Sequence, residues 1–219
     1  MDYDETLNFL HTILHRDEKA MILSEADQVW LQAEDFSYHF SPSLLLPPPE
    51  TGLLSTYLST LPEEPPPYLM LLIEAGSAAI GYFEHGEPVL HKALSTYMVR
   101  QKQGKSQLKH LNQKGKSRLG SRIRLRNTIT FFEQINNKLQ EWGETDYVQY
   151  IFYHSSIPHW NLLHESKVAC PFGKHDQRLQ TLPFAIYTPN FEELNRVNTQ
   201  LLSSSYRSLS LTERTRHTS

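Results

Sequence analysis

Apolar residues recur at helical spacing at the start of the chain. One stripe comprises Leu7, Leu10, Ile13 and Leu14, and a second comprises Ile22, Ala26, Val29 and Trp30. Steps of three and four residues place apolar side chains on one face of a helix, so the pattern predicts helices over residues 1–33. Two proline-rich stretches, SPSLLLPPPETG and PEEPPP, follow this region. Because proline interrupts helices and central strands, we expect a stiff connector and a subdomain boundary at residues 62–67.

The pattern changes at Tyr68, where a continuous apolar run begins. The run YLMLLIEAG is typical of a strand that is buried on both faces. Residues 79–84 predict a second strand, residues 85–87 a turn, and residues 88–94 a third strand that extends the meander.

Helical spacing returns after a long basic stretch. Apolar residues recur at Leu125, Ile129, Phe132, Ile135, Leu139 and Trp142, and Gly143 fits a C-terminal stop. The elements predicted downstream are a strand at 146–153, a helix at 158–166, a strand at 183–187 and a helix at 191–201. Strands that alternate with helices after an opening hairpin predict an α/β (α+β) fold with a mixed β-sheet flanked by helices.

Three regions follow from these patterns. We expect an N-terminal helical region with a Pro-rich connector over residues 1–66, the main domain over residues 67–202, and a disordered tail over residues 203–219.

Composition narrows the class of protein. The chain has 219 residues, of which 39% are hydrophobic and 21% charged, so a packed core is expected and wholesale disorder is not. A single cysteine excludes a secreted disulfide scaffold and favours a reducing compartment. The N-terminus carries acids where a signal peptide carries bases, and no apolar run is long enough to span a membrane. We therefore expect a cytoplasmic protein with no membrane partner.

Positive charge is concentrated in one stretch. Residues 88–132 contain eleven of the 21 Lys and Arg residues and no Asp or Glu, although the whole chain has a net charge of -3. Like charges repel and do little for folding, so such a stretch indicates a polyanionic partner, and nucleic acid is the natural one. The alternative interpretation is a solvated surface loop.

The middle of the basic stretch offers amide chemistry. The loop QGKSQ, residues 103–107, contains no Asp, Glu, His or Cys, so it lacks ordinary acid–base groups. A glutamine amide both donates and accepts hydrogen bonds, and it can hold a water molecule while a backbone N–H faces an oxyanion. Glycine allows the backbone to approach a substrate closely. The loop suits an ester at the end of an RNA, and a plain Gly/Ser/Gln surface loop is the alternative.

Two ordered motifs carry a resemblance to a known family. The first comprises Tyr97, Arg100, Lys102, Gln103, Gly104, Lys105, Ser106 and Gln107, and the second comprises Gly120, Ser121, Arg122, Ile123, Arg124, Leu125, Arg126 and Asn127. Together they resemble the VLRF domain, a release-factor-like family named after yeast Vms. That family is related to the catalytic middle domain of eukaryotic and archaeal peptide-chain release factors. The chain looks like a compact, stand-alone bacterial member.

The resemblance implies a function and a site. Gln107 matches the catalytic glutamine of the family, and Gln103, Gly104, Lys105 and Ser106 match the loop that supports it. The implied activity is hydrolysis of the ester between nascent peptide and tRNA on stalled large ribosomal subunits, without a cofactor. The residues implied to hold the tRNA acceptor end or ribosomal RNA are Arg100, Lys102, Lys109, Lys116, Arg118, Gly120, Ser121, Arg122, Arg124, Arg126 and Asn127.

The sequence also departs from the family pattern. Lys105 replaces a glycine that the family keeps, and Leu125 stands where its second arginine falls. Two other functions stay open, the first from the same resemblance and the second because of Lys105. One is an endonuclease that cleaves near the tRNA 3′ end, and the other is a non-catalytic module that binds the ribosome or RNA.

A histidine-rich stretch near the C-terminus contains the residue types of a metal or thiol site. His159, His164, Cys170 and His175 match no standard zinc spacing, so we predict no metal. A Cys170–His pair lacks a third group that would orient the base. We expect Trp142 and Trp160 to be core or lid residues.

Overall fold

The computed structural model describes residues 1–25, 28–96 and 116–208, and the side chains of residues 116–125 lie outside the description. The described helices are α1 (Tyr3–Arg16), α2 (Leu54–Leu58), α3 (Lys116–Trp142), α4 (Ile157–His164) and α5 (Phe191–Leu202). The described strands are β1 (Met21–Glu25), β2 (Gln28–Gln32), β3 (Ser37–Ser41), β4 (Gly52–Leu53), β5 (Tyr68–Glu74), β6 (Ser77–Glu84), β7 (Glu87–Ser95), β8 (Tyr150–His154), β9 (Leu179–Thr181) and β10 (Ser205–Ser208).

The chain forms two compact units. Unit 1 comprises Met1–Pro66 together with the chain from Asn198 onward, and unit 2 comprises Pro67–Val197. Among the described helices, none combines the length and the apolar character that crossing a membrane requires.

Unit 1 contains an antiparallel sheet with strand order β10-β3-β2-β1-β4. Helix α1 begins with a capping box, in which Asp2 accepts a hydrogen bond from the backbone N–H of Glu5 and the Glu5 side chain accepts one from the Asp2 N–H. The box satisfies two of the amide groups that a helix start leaves without partners. The Phe9 ring of α1 stacks on Tyr206 of β10 at 4.0 Å between centroids, so α1 lies against this end of the sheet.

The prediction of a helical N-terminal region is wrong where β1, β2 and β3 form, whereas α1 and α2 are helical. Ile22 lies in β1, and Val29 and Trp30 lie in β2, whereas Ala26 is outside the described residues. Ile22 is level with Leu31 in the antiparallel pair, and both side chains are fully buried. Apolar runs this short fit either period, and the pairing of β1 with β2 and of β2 with β3 decides in favour of strands.

The prediction of a disordered tail from residue 203 is also wrong in part. Ser205–Ser208 form β10, which pairs antiparallel with β3 from Tyr38 to Ser41. Partners 164 to 170 residues away along the chain satisfy the backbone of this polar strand, and no local pattern marks it. Residues 209–219 lie outside the described residues.

Unit 2 is built on a mixed sheet with strand order β7-β6-β5-β8-β9. Strands β5, β6 and β7 form the predicted antiparallel meander, and β8 and β9 add in parallel on the other side of β5. At the β6–β7 turn, His85 and Gly86 both have positive φ, 50° and 81°, as a tight two-residue hairpin turn requires.

Strand β5 is covered on both faces. Leu69, Leu71 and Ile73 point into a core formed with α3 and α4, which contribute Phe131, Phe132, Ile135, Leu139, Trp160 and Leu163. The alternate residue Tyr68 stacks on Phe83 at 4.9 Å on the opposite face. Burial on both faces explains the continuous apolar run of this strand.

The predicted strand at residues 183–187 does not form among the described residues. The ninth strand is Leu179–Thr181 instead. Arg178 fixes the chain just before β9. Its guanidinium donates to both carboxylate oxygens of Asp176 and, at 2.6 Å, to the carbonyl of Thr145. The ion pair lowers the pKa of Asp176 to about 2. Pro183 lacks a backbone N–H donor, and Tyr187 is 72% exposed. Pairing residues 183–187 with the sheet would therefore add few hydrogen bonds and bury little apolar surface.

Candidate nucleic-acid interface

The most specific of the predicted site residues lie outside the described part of the chain. They are Arg100, Lys102, Gln103, Gly104, Lys105, Ser106, Gln107 and Lys109. Their roles therefore stay predictions, and the structure defines the two ends to which this segment is attached.

The segment leaves the sheet at the edge where the parallel strands end. Ser95, the last residue of β7, is level with Ser77, and the backbone N–H of Thr96 donates to the carbonyl of Gly76 at 2.8 Å. Glu74 ends β5 two residues before Gly76. The carboxyl ends of β5 and β8 lie at the same edge because the two strands are parallel. We call this border of unit 2 the carboxyl edge.

The second attachment is helix α3, which starts earlier than the sequence predicts. The glycines and serines of the stretch KGKSRLGS, residues 114–121, predict a loop, but the chain is helical from Lys116. A single interior glycine costs a helix only about 1 kcal/mol relative to alanine, and Leu and Arg beside it are good helix formers. The positions of Lys116, Arg118, Gly120, Ser121, Arg122 and Arg124 are therefore helical, Arg126 is exposed and Asn127 is half-buried.

The charge of α3 opposes its own folding. Its first turn contains no acid, and five basic residues precede residue 127. Cations are unfavourable near the positive end of a helix dipole, and like charges four residues apart repel. A bound polyanion would relieve both penalties, so the charge distribution of the helix favours an anionic partner.

The C-terminal half of α3 packs into the core of unit 2 and thereby anchors the helix that carries the basic residues. Phe131, Phe132, Ile135 and Leu139 are buried. The Asn136 amide donates to the carbonyls of Leu163 and Val168 at 2.8 Å, and Gln140 donates to Ala169 at 2.6 Å. These bonds tie the C-terminal half of α3 to α4 and to the segment that follows it.

Polar side chains from separate elements meet at the carboxyl edge. His154 Nε2, at the end of β8, lies 3.0 Å from Glu74 Oε1, at the end of β5. The side chains are 29% and 44% exposed respectively. Burial lowers the pKa of His159 of α4, and the Glu74 carboxylate lies close enough to oppose this effect in part.

Glu74 and His154 are not among the residues that the sequence motifs mark. A weak signal exists, because each is the polar residue that ends an otherwise apolar strand, in YLMLLIE and YIFYH. Nothing along the chain shows that the two strands are neighbours.

The histidine-rich stretch does not gather into a metal site. Within the described residues, no three His, Cys, Asp or Glu side chains come together as a metal would require. Burial raises the pKa of the Cys170 thiol to about 11, which disfavours the reactive thiolate at neutral pH. Trp160 is buried and stacks on Tyr153 at 4.3 Å, as predicted for a core residue.

Comparison with known proteins gives three results. The family described as Bacteroidetes VLRF1 release factor matches residues 68–208. The solved structure described as Vms1 mitochondrial localization core aligns with a TM-score of 0.51 and 15% sequence identity, over 92% of this chain and 82% of that chain. At such low identity the likeness shows the fold alone, and it confirms the α+β class, with a mixed sheet in unit 2 that is flanked by helices. No curated protein gives a significant match.

Proposed function

Because the chain belongs to the Bacteroidetes VLRF1 release factor family, we propose that it is a peptidyl-tRNA hydrolase that frees nascent peptides on stalled large ribosomal subunits. The substrate is then the ester between the peptide and the 3′ end of the tRNA. The partners are the tRNA acceptor end and ribosomal RNA.

One observation carries the proposal. The acid-free basic stretch leads directly into α3, which is helical from Lys116, and both lie inside the residues that match the release-factor family. A polycationic segment on a helix with a packed base suits contact with RNA phosphates, and the family supplies the reaction type.

Gln107 would act on the attacking water. Its side-chain amide would hold the water while a backbone N–H of the loop stabilises the negative oxygen of the tetrahedral intermediate. Water oxygen bonds to the carbonyl carbon, the bond to the tRNA 3′ oxygen breaks, and that oxygen takes up a proton. The products are a peptide carboxylate and an intact tRNA.

The supporting residues would position the two substrates. Gly104 allows close approach of the backbone, while Gln103, Lys105 and Ser106 shape the loop. The RNA would be held through its phosphates by Arg100, Lys102, Lys109, Lys116, Arg118, Arg122, Arg124 and Arg126, with Gly120, Ser121 and Asn127 beside them.

The test is peptide release from large ribosomal subunits that carry peptidyl-tRNA with a labelled peptide. We expect Gln107→Ala to slow release about 100-fold or more, the usual effect of removing a group that stabilises the oxyanion. Gln101→Ala is the matched control, because it removes the same side chain from the same segment. The tRNA length is measured in the same gel.

Each result assigns the activity to one class. Release by wild type with full-length tRNA, lost only in Gln107→Ala, supports the hydrolase. Shortened tRNA replaces the hydrolase with the endonuclease. Salt-sensitive binding to the subunit with neither product overturns both enzymes and leaves the non-catalytic RNA-binding module.

A further inference from the structure

Glu74 and His154 lie at the ends of β5 and β8, the two neighbouring strands from which the chain continues to opposite sides of the unit 2 sheet. From β5 the chain continues into β6 and β7 on one side, and β8 and β9 lie on the other. The chain that leaves β5 and the chain that leaves β8 therefore run away from each other. In open sheets with parallel strands, ligands bind in the crevice outside the carboxyl ends of the two strands at such a switch point.

The pair is held by strand register. Leu72 of β5 is level with His154 of β8, and Glu74 lies two residues further along on the same face. The contact of 3.0 Å between His154 Nε2 and Glu74 Oε1 orients the imidazole ring. No strand end has to move for the two side chains to meet.

Each side chain keeps one polar atom uncommitted among the described residues. Glu74 Oε1 is the carboxylate oxygen in contact with His154. No described residue donates a hydrogen bond to the second oxygen, Oε2. When His154 Nε2 donates to Glu74, the far ring nitrogen Nδ1 is left as an acceptor in the neutral ring. Both side chains are partly exposed, so a ligand can reach an acceptor oxygen and an imidazole nitrogen side by side.

We propose that Glu74 and His154 form a subsite for one ribose of unpaired RNA, in which Glu74 Oε2 accepts a hydrogen bond from the 2′-hydroxyl. A carboxylate repels phosphate but binds a ribose hydroxyl well, and this contact distinguishes RNA from DNA. His154 keeps the carboxylate oriented and offers Nδ1 to the same nucleotide. The inference rests on the proposed function in taking RNA as the partner.

The position of the pair favours RNA over a free nucleotide. The acid-free stretch leaves the sheet at the same edge, through the bond between Thr96 and Gly76. His159, which lies within electrostatic reach of Glu74, has its ring centroid 6.2 Å from that of Phe132 on α3. The pair therefore lies at the edge from which the basic stretch departs and near the buried half of α3, and the basic residues would neutralise the phosphates of an RNA strand bound there.

The test compares RNA oligonucleotides in which one ribose at a time is 2′-deoxy. Binding of an unstructured 12-nucleotide RNA is measured for each oligonucleotide. We expect one position at which loss of the hydroxyl weakens binding roughly tenfold or more, the worth of a hydrogen bond to a charged group. In Glu74→Ala that position should lose its effect, and His154→Asn should reduce it.

Glu87→Ala is the matched control, because it removes the same charge at the opposite edge of the sheet and should leave the deoxy effect unchanged. Equal binding of all oligonucleotides, or an effect that survives in Glu74→Ala, overturns the subsite. Peptide release and the deoxy series, both measured on the wild-type protein, separate the two proposals. In wild type, ribose selectivity without peptide release overturns only the hydrolase, and peptide release without ribose selectivity overturns only the subsite.

Discussion

Two histidines of α4, His159 and His164, become partly buried when the protein folds. Burial lowers the pKa of His159, and the Glu74 carboxylate only partly opposes the effect. Burial also lowers the pKa of His164, and positive charge from Lys174 and His175 adds to the shift. Nδ1 of His159 and Nε2 of His164 are buried without a hydrogen-bond partner among the described residues. The folded state therefore favours both rings in their neutral form.

We expect the free energy of unfolding to fall as the pH drops below about 6.5, the ordinary pKa of histidine. In this range the unfolded chain binds protons that the folded chain rejects, so acid favours unfolding. Urea unfolding of wild type and of the double variant His159→Gln/His164→Gln, at pH 8 and pH 5.5, measures the effect. The variant should lose less stability between the two pH values, and an equal loss in both proteins contradicts the assignment.

At the scale of elements, α5 can approach strand β6 closely because residue 81 is a glycine. A Cβ at position 81 would lie 2.7 Å from Cδ2 of Leu194 on α5 and 2.7 Å from Cε2 of Phe83. Both distances are shorter than real carbon contacts. Gly81 sits in the centre of β6, where glycine has no conformational reason to be, so packing explains it.

Gly81→Ala should therefore destabilise the protein by about 1–3 kcal/mol, the usual cost of overpacking a core. The measurement is the urea midpoint at unchanged slope. Gly173→Ala is the control, because nothing lies within 4 Å of its added Cβ. If both variants unfold at the wild-type midpoint, the core around Leu194 is looser than the contacts indicate.

At the scale of the whole molecule, charge is separated along the chain. The net charge is -3, so the average field of the protein does not attract RNA. The residues from 88 to 132 carry positive charge without acids, and binding must be local to them.

RNA binding should weaken steeply with salt, because each neutralised phosphate releases counterions. We expect the double variant Arg118→Gln/Arg122→Gln to bind more weakly at low salt and to lower the slope of log K against log salt by roughly 0.7–0.9 per lost phosphate contact. The control Arg16→Gln/Lys19→Gln changes net charge equally in unit 1. Equal slopes for the two double variants contradict a local binding surface.

The sequence by itself determined the features that depend on neighbours along the chain. Strand β5, the packed half of α3 and the stop at Gly143 each follow from local apolar spacing or backbone freedom. The basic stretch, too, is a local property of composition. These features need no knowledge of the fold, because their physical cause lies within a few residues.

Only the tertiary structure decided the rest. Whether Ile22 lies in a helix or a strand depended on pairing with β2, and the edge strand β10 exists because β3 lies beside it. Glu74 and His154 are 80 residues apart, and their meeting depends on β8 adding in parallel to β5. Such contacts arise from strand order, which apolar periodicity does not encode, because the same short pattern is satisfied by many possible partners.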